Sequence, residues 1–375
     1  MSALPVGSVH GRHVRSCRLR DKAESAAGTC WLARTRVLLV NDNLGATHRP
    51  SMLDAIAERY RRFALDEAHG HSPSYEALAG HVARSDRILA FLGALPADRQ
   101  QPNLFFAAVR LVAGLPTDAH ALDEFVEQHA NSIAAVMKDR TTQTNEPGRC
   151  AVLLPVLSLL PQPLAILEVG AAAGLCLLPD HYGYNYVHRH IAPPEASRAI
   201  APVFPCTANA LTPVPTTLPQ IGWRRGLDLN PLSLASRADT DWLATLVWPE
   251  QLARLERLRA AIATARHNPP LVIPGDLRTD LETALKAAPA GMTLVVFHTA
   301  VLGYVSAQSD RDAFAHTVRA SGAIWISNEL AGTYPDIAER TPVPRRTDRF
   351  LLAVDGEPVA WTGPHGQSIE WFGQR

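Results

Sequence analysis

The stretch LEVGAAAGL, residues 167–175, places Glu168 two positions before Gly170, with Gly174 four further on. It ends an apolar run, where a strand must turn into a helix. Glycines there allow a tight turn and close approach of the backbone to a ligand, and the first N–H groups of a following helix favour an anionic group. Competing motifs can be tested letter by letter. A dinucleotide fingerprint begun at Gly170 needs glycine at Ala172 and Leu175, and a phosphate loop needs Gly-Lys at Leu175 and Cys176, so both fail. The elbow of a serine hydrolase has the same glycine spacing, but Ala172 stands where its nucleophile would be. What remains is the acidic-x-Gly-x-x-x-Gly pattern of S-adenosylmethionine sites. A glycine turn needed only for packing is the alternative.

Four other apolar runs end in polar residues. RRGLDLNPL ends on Asp228, the usual position of an acidic side chain that accepts from two ribose hydroxyls, or else the start of an Asp-x-Asn-Pro turn. PGDL puts Gly275 and Asp276 where such folds contact an adenine. FHTAVLGY puts His298, Thr299 and Tyr304 at the expected cleft mouth, where His298 could act as a general base or sit as a hydrogen-bonded wall residue. Asn328 and Glu329 end the last run and could reach the same cleft or cap a helix. His181, His188 and His190 raise the question of a metal. No neighbouring carboxylate completes a ligand set, and the alternation of Tyr182, Tyr184 and Tyr186 suggests a hairpin instead, so no metal is expected.

The elements that position these residues follow from periodicity. Five β-branched runs, 164–169, 222–229, 271–274, 293–298 and 323–327, alternate with helical stretches, which implies parallel strands with crossover helices. The end of the chain alternates about two turn signals, Asp355-Gly356 and Pro364 to Gly366, so an antiparallel finish is expected. The interval from Gly174 to Asp228 is longer than one helix requires and must loop out an insertion. The expectation is an α/β fold, Rossmann-like, with a mostly parallel sheet, antiparallel C-terminal strands and an all-helical N-terminal cap. The boundaries are 52–146 for the cap and 147–375 for the α/β domain. Residues 1–51 lack an apolar face and are expected to be a disordered leader, with Met52 a candidate natural start.

Composition narrows the partners. Lys+Arg and Asp+Glu both number 36 in a chain of 375 residues, so no basic field exists to draw nucleic acid. Cys17, Cys30, Cys150, Cys176 and Cys206 are odd in number and unpaired in spacing, which fits a reducing cytoplasmic setting. The apolar span Ala151 to Leu178 is long enough to cross a bilayer, but Pro155, Pro161 and Pro163 interrupt it, so no membrane span is expected.

The run TQTNEPGRC (142–150), then LEVGAAAGLCLLPDHYGY and RRGLDLNPL, resembles an uncharacterised bacterial family, the domain of unknown function 2332. The resemblance covers nearly all of Met52 to Phe372 and implies shared architecture, with no assigned reaction. It implies GASAGLNL after the first strand, so Ala172 and Cys176 depart from the pattern. It also draws attention to Asn145, Glu146 and Arg149. Asn145 could cap a helix with Arg149 one turn on, or Glu146 and Arg149 could face the cleft and hold the amino acid end of a ligand. Two functions stand at this point. One is an S-adenosylmethionine-dependent methyltransferase of unknown acceptor, with Glu168, Gly170, Gly174, Asp228 and Asp276 around the cofactor and His298 or Glu329 near the acceptor. The other is a non-enzymatic Rossmann-like module that binds a nucleotide or a partner.

Overall fold

The computed structural model describes residues 51–344, 346 and 348–373. Apart from Ser51, the expected leader lies outside the described residues, as do Cys17 and Cys30.

Helices come first: α1 (Met52–Arg62), α2 (Pro73–Val82), α3 (Asp86–Gly93), α4 (Pro102–Ala113) and α5 (Ala119–Asp139). Four of them start where a side-chain oxygen takes up a free N–H three residues on: Ser51, Ser72, Ser85 and Asp118. Their apolar stripes, among them Ile56, Tyr60, Leu92, Phe105 and Phe106, close into one core.

After α6 (Cys150–Leu159) the chain enters the sheets. The strands are β1 (Leu164–Val169), β2 (Gly183–Asn185), β3 (His190–Ile191), β4 (Val203–Pro205), β5 (Thr207–Ala208), β6 (Ile221–Asp228), β7 (Val272–Pro274), β8 (Thr293–Thr299), β9 (Ile324–Leu330), β10 (Phe350–Val354), β11 (Glu357–Thr362) and β12 (Ser368–Trp371). The large sheet runs β5-β12-β11-β10-β9-β8-β1-β6-β7. Strands β7, β6, β1, β8 and β9 are mutually parallel, and β10 to β12 continue antiparallel. The expected fold class is therefore borne out. Helices α7 (Arg237–Leu246) and α8 (Leu252–His267) join β6 to β7, α9 (Leu281–Lys286) joins β7 to β8, and α10 (Gln308–Ala320) joins β8 to β9. All six residues of β1 are buried, because it is covered on both faces, and this explains its unbroken apolar run. The chain leaves β1 first toward β6 and β7 and later toward β8 and β9. The carboxyl ends of β1 and β8 thus flank a topological switch point, where open α/β sheets bind ligands.

Two features depart from the sequence reading. No α-helix follows Gly174: a three-residue 3-10 turn, Leu175–Leu177, leads into a small sheet ordered β3-β2-β4. The three tyrosines there are buried, and their hydroxyls donate to the carbonyls of Leu175, Pro179 and Ala151. They are packing groups with satisfied tips. The second feature is that α7 belongs to the helical core. Its Trp242 is fully buried among the N-terminal helices and donates to Thr141 O at 3.0 Å. Ser72 Oγ and the Ser74 N–H donate to Glu250 just ahead of α8, at 2.5 and 2.9 Å. The helical layer is thereby held to the crossover between β6 and β7.

Candidate functional site

Glu168, the residue before the last of β1, is 2% exposed, and its Oε2 has no hydrogen-bond partner. Burial, then the neighbouring Cys176 and Asp228, pushes its carboxyl well above the ordinary range, against the pull of Arg149. A carboxyl whose proton is held more tightly in the fold than in the unfolded chain stabilises at low pH and loses that contribution as pH rises above the unfolded value of 4.5. Glu168→Gln should therefore gain about 1–2 kcal/mol over the native chain at pH 8 and almost nothing at pH 4. Urea denaturation at both pH values checks this, and a gain independent of pH would contradict it.

The turn after β1 is tightly closed. Gly170 has φ 74°, and a Cβ there would run into the side chain of Val301, so the glycine serves close packing of the β8 loop on the β1 turn. Ala172 is itself left-handed, φ 49°, and donates its N–H to Asp228 Oδ2 at 2.8 Å. Asp228 Oδ1 accepts from the Asn230 N–H (2.8 Å) and from Gln143 Nε2 (3.0 Å). Asp228 thus bridges the glycine turn, its own turn and the segment before α6. Gly174 is covered by Pro270 and Val272, and the next N–H, of Leu175, donates to Asn145 Oδ1 at 2.9 Å.

His298 lies deeper than the cleft mouth expected for it. It is 0% exposed, because β8 is buried on both faces. Its Nε2 accepts from Trp325 Nε1 at 2.9 Å, and its Nδ1 lies 2.8 Å from Glu329 Oε1. Tryptophan only donates, so Nε2 carries no proton and Nδ1–H donates to Glu329. Glu329 Oε1 also accepts the N–H groups of Val301 and Leu302. With both ring nitrogens of His298 engaged, His298 and Glu329 fix the β8 loop in this arrangement. Asp276 is held by Arg278 through its backbone and side chain, and Tyr304 is 60% exposed. Neither joins the cluster around Glu168.

Arg149 does. It is 7% exposed; Nε donates to Pro364 O at 2.9 Å, and Nη1 donates to Thr299 O (3.0 Å) and Oγ1 (3.3 Å) at the carboxyl end of β8. Its guanidinium lies 5.6 Å from the centre of the Phe350 ring. Among the described residues no carboxylate lies within ion-pair distance of it. Glu146 is paired with Arg254 Nε and accepts the Gly148 N–H at 3.0 Å. Burial raises the Glu146 carboxyl, but Arg254 foremost outweighs that and holds it below the ordinary range. The site therefore gathers Glu168, Asp228, Asn145, Glu146 and Arg149 from the sequence reading and adds Gln143, Arg254 and His365. Arg254 is one of several arginines on an amphipathic helix, and nothing in its spacing marks it. His365 stands in a turn signal read only as a turn.

Among the described residues no group of three or more His, Cys, Asp or Glu side chains could hold a metal, and no helix is long and apolar enough to cross a membrane. The fold is that of a Rossmann-like α/β protein, with a buried cluster of charged and polar side chains at its switch point. The profile of a family described as an uncharacterized protein conserved in bacteria (DUF2332) matches residues 57–371, and the chain belongs to that family. No curated protein and no solved structure matches the chain.

Proposed function

We propose that this protein binds a small molecule bearing an amino-acid-like or carboxylate head at the switch point of its sheet, with Arg149 as the group that receives it. The observation that carries this reading is the buried Arg149 guanidinium, held by neutral carbonyls and an aromatic face with no carboxylate partner. A buried guanidinium with no carboxylate within ion-pair distance is only partly compensated, and a ligand anion in contact with it would offset the rest. The unpartnered Oε2 of Glu168 beside it is a second group that a polar ligand would satisfy.

A second reading, methyl transfer from S-adenosylmethionine, is favoured by one observation: the acidic residues Glu168 and Asp228 close the neighbouring parallel strands β1 and β6. The amino acid end of that cofactor suits Arg149. Its nucleoside end does not suit the residues as they stand, because Asp228 already accepts three hydrogen bonds and Val301 fills the space beside Gly170. A methyltransferase would need Gln143 to leave Asp228 and Val301 to leave the turn.

Calorimetric titration with methionine, S-adenosylmethionine and S-adenosylhomocysteine, with NAD and ATP as controls, separates the readings. The expected result is that methionine binds about as well as its adenosyl derivatives, and that Arg149→Met, checked for folding by circular dichroism, weakens binding at least tenfold, about 1.4 kcal/mol. Micromolar binding of the adenosyl compounds without methionine would establish the second reading instead. Binding that Arg149→Met leaves unchanged, or none at all, would end the first.

A further inference from the structure

Pro364, whose carbonyl holds Arg149 Nε, is followed by His365, and the two sit in the turn Gly363 to Gly366 between β11 and β12. The Nδ1 of His365 is enclosed and has no hydrogen-bond partner, although 38% of the side chain is open to solvent. The open edge of the ring is the one away from Nδ1. The polar atom facing Nδ1 is Glu146 Oε2 at 3.7 Å, just beyond hydrogen-bond distance. The charged and titratable groups around the ring are Arg254 from α8, Glu146 and Arg149 from the segment before α6, and His71 from the segment before α2. Glu146 is committed to Arg254, which leaves Arg149 without an ion-pair partner among the described residues.

We propose that Arg149, Arg254 and His365 together receive an oxyanion, a carboxylate or a phosphoryl group, and that the anion enters together with one proton taken from solvent by His365. This rests on the proposed ligand site and names the chemistry of its ligand. The physical reason is charge balance. In the free protein burial first, and then Arg254, keeps His365 neutral, its pKa lowered to about 3. An anion beside Arg149 adds negative charge near the ring, which favours its protonated form. His365 can then take up a proton on Nδ1 and donate it to Glu146 Oε2, closing the 3.7 Å gap. No bond other than this hydrogen bond forms, and the proton returns to solvent when the anion leaves.

The test follows the His365 ring by NMR of the full chain labelled at histidine carbon, its resonance identified among the 15 histidines as the one missing from His365→Gln. Sulfate stands in for a phosphoryl group and acetate for a carboxylate, and both are ionised at pH 6, so neither contributes protons of its own. Without anion the resonance should not titrate between pH 5 and 8. With saturating anion its midpoint should rise by about three pH units or more, into that window, further with the dianion sulfate than with acetate. Arg149→Gln should abolish the shift, and Arg149→Lys, which keeps the charge, should retain part of it. A response to only one of the two probes identifies the source of the anion. An unmoved midpoint in the native chain overturns the proposal whether or not the variants fold, and so does a shift that survives in Arg149→Gln. Methionine that binds through Arg149 without moving the midpoint overturns this inference and leaves the ligand-site reading in place. If methionine, sulfate and acetate all fail to bind, both fall.

Discussion

Gly366→Ala should cost about 3–5 kcal/mol of stability and remove ligand binding at Arg149. Two effects add at this position. Gly366 has φ 77°, a left-handed conformation that costs a residue with a Cβ about 1–2 kcal/mol. A Cβ there would also collide with the carbonyl of Gly148 and the nitrogen of Arg149. These are backbone atoms of the segment entering α6, which cannot swing aside as a flexible side chain can. Relief would require the turn to lift, taking with it the Pro364 carbonyl that holds Arg149 Nε at 2.9 Å. Gly356 separates the two effects. It has φ 85°, but a Cβ there would meet nothing closer than 3.9 Å, so Gly356→Ala should cost only about 1 kcal/mol. Equal losses from the two variants in urea denaturation would show that the close approach of the turn to Gly148 is not what holds it.

Asp228→Ala should lower stability by about 3–4 kcal/mol, and Asp228→Asn by about half as much. The carboxylate accepts from the Ala172 N–H, the Asn230 N–H and Gln143 Nε2. Alanine would leave the buried Ala172 amide without an acceptor, and hydrogen bonds to a charged group contribute about 1.5–3 kcal/mol each. Asparagine keeps one acceptor oxygen. Hydrogen exchange at Ala172 adds a local readout, since its amide should lose protection in the alanine variant. The contrary outcome is as informative. Stability within about 1 kcal/mol of the native chain, together with a tenfold loss of adenosylmethionine affinity, would make Asp228 a ribose ligand and favour the methyltransferase reading.

What the sequence by itself determined is what depends on local pattern. The run LAILEV reads as a strand buried on both faces, and it is β1 residue for residue, Leu164–Val169. The α/β class and the antiparallel finish follow from the same periodicities, and the chain's charge balance is a matter of composition. The glycine turn was legible as a turn, but the helix expected after it was not there, because Leu175–Leu177 feed the small sheet and Asn145 takes the Leu175 N–H. The roles of single polar residues belong to tertiary structure. His298 reads as either a base or a hydrogen-bonded wall residue from its type and its place at a strand end, and only the approach of Trp325 and Glu329, 27 and 31 residues away, shows both its nitrogens occupied. Arg149 reads from its neighbours either as a companion one turn on from a capping Asn145 or as a cleft residue, and its actual partner Pro364 is 215 residues distant, as Arg254 is 108 from Glu146. The physical reason is one of range. Side-chain periodicity is written by the backbone within a few residues, whereas the pairing of a buried charge is decided by which distant segments the closed sheet brings against it.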